Sequence, residues 1–73
     1  MQKLCLTDNC YNITKQLAKK LEFLSHVGKY IEDAKKAGDT VAESAWVTIR
    51  ADEEKHAGIL RDLLISEVQN RKL

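Results

Sequence analysis

The sequence predicts an all-α protein: a two-helix antiparallel hairpin that pairs with a second copy into a four-helix bundle. Three observations predict it. The 73 residues include no Pro and only three Gly, in a composition led by Leu, Lys, Ala and Glu, residues that enter a helix at little cost. Apolar positions recur every three or four residues on both sides of a single interruption, Lys35-Lys36-Ala37-Gly38-Asp39-Thr40, which is the period of a helix face. Each apolar stripe is also wider than one neighbouring helix can cover, so a second copy of the hairpin is the simplest way to bury the remainder.

The interruption sets the boundaries. Lys35 and Lys36 suit a helix C-terminus, where cations meet the negative end of the dipole, and Gly38 can take the left-handed conformation that closes a helix. Thr40 reads as the next N-cap, with Glu43 three residues on to complete a capping box. Helix 1 is therefore expected over about 10–37 and helix 2 over about 41–70, in one domain spanning 1–73. So short a turn permits only an antiparallel pair.

Helix 1 carries Ile13, Leu17, Leu21, Leu24, Gly28 and Ile31 on one stripe, with Phe23, Val27 and Tyr30 widening it on one flank. Helix 2 carries a heptad seam of Ala42, Trp46, Ile49, Glu53, His56, Leu60, Leu63 and Glu67. Trp46 reads as core and Tyr30 as a core-edge residue, while Gly28 and Gly58 read as places of close helix approach. Glu67, near the helix end, is expected to be solvated, and Gln69 to Leu73 to fray.

Composition excludes several function classes. Twelve basic and eleven acidic residues leave a net charge of +1, which gives no electrostatic reason to expect nucleic acid or an anionic membrane. No stretch approaches the roughly 20 apolar residues of a membrane span, and the first residues hold no signal-peptide core. A cytoplasmic location is the expectation, with Cys5 and Cys10 as thiols in a reducing environment. Without secretion the sequon Asn12-Ile13-Thr14 carries no meaning. There is no Gly-rich phosphate loop, and no Ser or Cys stands with a recognisable base and orienting acid.

Glu53 and His56 remain as the chemistry. Three residues turn a helix by about 300°, so both side chains project from one face, and that face is the apolar seam. A carboxylate there needs a partner: a metal, a cation from another helix, or water. Glu-x-x-His on facing bundle helices is a ligand pattern of di-iron and di-manganese carboxylate proteins. Lys20 offers the other solution, reaching Glu53 across the hairpin as an ion pair to which His56 adds a hydrogen bond, with no metal involved. Glu22 and His26, one turn apart, make a weaker surface pair.

Ala34-Lys35-Lys36-Ala37-Gly38 followed by Ala51-Asp52-Glu53-Glu54-Lys55-His56-Ala57 resembles one half of a ferritin-like domain of the rubrerythrin type. It is also similar to the encapsulated ferritins, which build the bundle from two chains. The likeness covers about Leu21 to Leu64. It implies an iron-binding homodimer (manganese or no metal being the alternatives) with ferroxidase or peroxide-consuming activity. In that pattern Glu53 bridges the metals and His56 is a terminal ligand. The family's first-helix Glu position falls on Lys20 here, and Glu22 is the nearest carboxylate. Glu22 sits about 140° from the helix 1 stripe and reaches the site only if helix 1 turns that side to the dimer partner. The alternative function is a metal-free helical dimerisation or assembly module with a buried Lys20–Glu53–His56 network.

Overall fold

Gly38, at φ +68°, lets the chain reverse between two long helices. The computed structural model describes residues 5–73: helix α1, Asp8–Lys36, and helix α2, Thr40–Gln69. At the turn Asp39 N–H donates to Ala34 O at 3.0 Å and Gly38 N–H to Lys35 O at 3.1 Å. These are the paired bonds of a Schellman closure, which occupy carbonyls that a helix end otherwise leaves unpaired. The cap on α2 is Asp39 rather than Thr40: its carboxylate accepts from Ala42 N–H at 2.9 Å. A charged acceptor at the positive helix end is the stronger choice, and α2 gains a residue by it. At the start of α1, Thr7 caps through its hydroxyl, accepting from Cys10 N–H at 3.2 Å.

The two helices meet along a line that differs from the expected stripes. On α1 the column facing α2 runs Cys10, Ile13, Leu17, Lys20, Leu24, Val27, Ile31 and Ala34. Val27 is 1% exposed, whereas Leu21 is 54% exposed. On α2 the contact column runs through Trp46, Glu53, Ala57, Leu60, Leu64 and Glu67, leaving Ile49, His56 and Leu63 outside it. Two helices share one line of contact, while each apolar arc spans more than 100°. The chain therefore buries the middle of its apolar surface and leaves a strip on either side. The result is a single helical layer, 49 × 24 × 14 Å, apolar on both broad faces. Among the described residues neither Gly28 nor Gly58 serves a close approach, because a Cβ built on either meets nothing within 4 Å.

The end opposite the turn is also closed. Glu67 is buried, and its carboxylate accepts from Asn9 Nδ2 across the helices, so it is not the solvated residue its position near the helix end suggests. Beyond it the last residues, which lie past the end of α2, are hydrogen-bonded back to the two helices. Arg71 takes a left-handed φ of 54°, Lys72 N–H donates to Glu67 O at 2.8 Å, and Thr7 N–H donates to Leu73 O at 2.9 Å. Leu6 N–H donates to the same oxygen, and Thr7 Oγ1 donates to Lys72 O at 3.1 Å. Just before this clasp, Cys5 and Cys10 are joined in a disulfide instead of standing as thiols. Such a bond belongs to oxidising compartments and to intracellular proteins of hyperthermophiles. It pins the segment that precedes α1 over the first helical turn. Among the described residues, no helix is long and apolar enough to cross a membrane.

Candidate functional site: a Lys–Glu–His network across the hairpin

Lys20 and Glu53 occupy facing positions in the two contact columns. The ammonium lies 3.0 Å from Glu53 Oε2, and His56 Nδ1 lies 3.0 Å from Glu53 Oε1. Both carboxylate oxygens are thus engaged. Glu53 is largely covered, with 18% of its side chain exposed, whereas Lys20 retains 29% and His56 51%. The gradient follows from the wheel: Glu53 points at α1, and His56, about 60° around, leans toward the rim of one broad face.

The electrostatics follow from these contacts. The hydrogen bond from His56, and after it the one from Lys20, hold the Glu53 carboxyl below its ordinary value, against a smaller opposing effect of burial. An ionised Glu53 is therefore the resting state at neutral pH. Lys20 reaches it along a butyl stem laid over the apolar column, which is the usual way for a lysine to place its charge at a covered site.

A metal fits this set poorly. The cation next to Glu53 is already present, and it is Lys20. One chain contributes one carboxylate and one imidazole, and among the described residues no three His, Cys, Asp or Glu side chains gather as a ligand group. Glu22 is exposed on α1, two residues past Lys20 and about 200° around the helix from it. Its carboxylate and the His26 ring make no hydrogen bond or ion pair among the described residues; Glu22 contributes only its main-chain oxygen, which accepts from Ser25 Oγ at 2.6 Å. Glu53 and His56 are thus brought together, and Glu22 is not brought to them.

Toward the turn, the same broad face carries an aromatic cluster. The Tyr30 and Trp46 ring centroids lie 5.1 Å apart, and Phe23 stands 6.3 Å from Trp46. The rings close the layer where Ala34 and Ala42 leave space, beside a shallow groove of about 350 Å³. Sequence reasoning identified these three as apolar but not as a cluster, because their contact depends on the level at which α1 faces α2. It also missed the Asn9–Glu67 bond, for which an Asn in the first turn of one helix and a Glu in the last turns of the other were the available signal.

No protein-family model, curated protein or solved structure matches this chain. The ferritin-like resemblance therefore rests on the turn and the Glu-x-x-His alone.

Proposed function

We propose that the chain is a helical assembly module, whose hairpin associates with a second copy and whose Lys20–Glu53–His56 network fixes the level at which the two helices meet. The surface carries this reading. The chain exposes 5638 Å², whereas a folded monomer of 8.3 kDa has about 4,600 Å² by the usual scaling with mass. The excess of about 1,000 Å² is close to what one partner contributes to a standard protein interface, about 800 Å². Leu21, Ile49, Ile59, Leu63 and Ile65 are among the side chains that hold it open.

A buried or half-buried ion pair adds little net stability over apolar residues of the same size, but it penalises every register in which its partners miss each other. That is the role assigned to Lys20 and Glu53. The test is a pair of variants. Lys20→Met alone leaves the carboxylate without its cation and destabilises the fold, whereas Lys20→Met with Glu53→Leu is neutral or stabilising in urea unfolding. A double variant weaker than the single one removes the network from this role.

Iron held at a dimer seam is the second reading, supported by the meeting of Glu53 and His56 on one carboxylate oxygen and by the open rim beside His56. It requires Lys20 to be displaced and further ligands to come from another chain. Metal content after anaerobic loading with ferrous iron and desalting separates the readings. Iron at about 0.5 to 1 per chain, lost in Glu53→Ala, favours a metal centre; iron at the level of the buffer supports the assembly module.

A further inference from the structure

The broad face turned away from the aromatic cluster has a pattern of its own. Leu17, Leu21 and Leu24 of α1 and Ala57 and Gly58 of α2 line a groove of about 370 Å³. Two charges, Glu54 and Arg61, stand on its α2 wall. They are seven residues apart, which is two turns and about 10 Å along the helix on one face. Their midpoint falls between Ala57 and Gly58, where the wall is lowest. Glu54 makes no ion pair among the described residues, and Arg61 makes only a 3.3 Å contact with the adjacent Asp62, both side chains being 70% exposed.

An acid and a base placed symmetrically about a low point form a surface complementary to itself. We infer that a second copy of this chain docks in this groove, related by a twofold axis that runs between the two layers, parallel to their planes and perpendicular to the helices, and passes over α2 at Ala57 and Gly58. The two α2 helices then run antiparallel, and each charge lies about 5 Å from the axis. Glu54 therefore comes level with the partner's Arg61, and the symmetry makes two such pairs. The Lys20–Glu53 contact sets the level of α1, so the same axis passes close to Leu17, and the Leu17 side chains of the two copies meet beside it.

One further observation fits this axis. A glycine inside a helix weakens it, yet the Cβ space at Gly58 is empty among the described residues; a second helix crossing there uses it. An unrelated partner would have to carry the inverse order of charges at the same spacing, whereas a second copy carries it by symmetry. The inference rests on the assembly reading and adds to it which face is used and how the copies are set.

Charge reversal tests it. Sedimentation equilibrium of the wild type gives the dimer dissociation constant, and circular dichroism confirms the helicity of each variant. Glu54→Arg and Arg61→Glu each place like charges opposite one another twice per dimer, and each raises the dissociation constant by about tenfold to a hundredfold. The double variant Glu54→Arg/Arg61→Glu restores it to near the wild-type value. Asp52→Lys, turned about 200° from Glu54 around α2, leaves it unchanged. Dimers indifferent to either reversal, or a double variant as weak as the singles, overturn this interface while the assembly reading stands. A helical wild type that is monomeric at every concentration overturns both.

Discussion

Val27 and Leu21 give the sharpest test of how α1 is rotated against α2. Sequence periodicity puts Leu21 on the main stripe and Val27 on its flank; the structure reverses them, with Val27 1% and Leu21 54% exposed. Val27→Ala removes two methyl groups from a covered site. Transfer at about 0.8 kcal/mol per group plus a cavity term gives a loss of about 2–3 kcal/mol. For a domain of this size, total stability is on the order of 4–11 kcal/mol, so from about a fifth to about three quarters of it goes. With an m-value near the low end for small proteins, the urea midpoint falls by about 2 M. Leu21→Ala removes a larger group, but one already half in water, and costs about 1 kcal/mol in a dilute monomeric sample. That cost grows with chain concentration as the dimer forms, whereas the Val27→Ala cost does not. The assay is urea unfolding followed by far-ultraviolet circular dichroism at two chain concentrations either side of the dissociation constant. A Leu21→Ala loss equal to that of Val27→Ala in the dilute sample would refute this rotation of the helix.

Three other perturbations have definite signs. The folded Glu53 carboxyl titrates below its ordinary value of 4.5, so its contribution is complete above that value and is lost as pH falls through the lowered folded one. The acid limb of stability against pH should therefore be steeper in the wild type than in Glu53→Gln, and superimposable limbs would count against it. Arg71 holds φ at 54° without being glycine, so Arg71→Gly should raise stability by about 1 kcal/mol; a loss would mean that its side chain contributes more than its backbone costs. Reducing the Cys5–Cys10 disulfide, which spans a separation of five residues, should lower stability by about 2 kcal/mol on chain-entropy grounds, read as the urea midpoint with and without reductant.

Much of the fold is legible in the chain because local chemistry dictates it. The break at Gly38, the cationic end of α1 and the heptad spacing all act within a few residues of one another, and they give two helices with bounds within one or two residues of those observed. Rotation of each helix is less legible. An apolar arc wider than its partner tolerates several contact lines, and the choice among them rests on long-range pairs such as Lys20–Glu53 and Asn9–Glu67. The candidate site shows the same division. That Glu53 and His56 share a face follows from their spacing, whereas Lys20 is only one of the partners the sequence allows, because counting out from Gly38 puts Lys20 opposite His56 and Phe23 opposite Glu53, about one turn from the observed level. Thr7 as a cap, Asp39 in place of Thr40 and the disulfide depend on the path of the chain outside the helices, where periodicity is silent.

The clasp at the far end changes how the hairpin can open. A bare pair of helices is tied only at its turn, and its open end unravels turn by turn in small fluctuations. Here Leu6, Thr7 and Asn9 fasten that end to Glu67, Lys72 and Leu73, so the pair is fastened at both ends. Neither helix can begin to separate without breaking several bonds together. Amide protons near both ends should then exchange with solvent through the same large-scale opening that exposes those in the middle, and the hairpin behaves as one cooperative unit despite being only one helix thick.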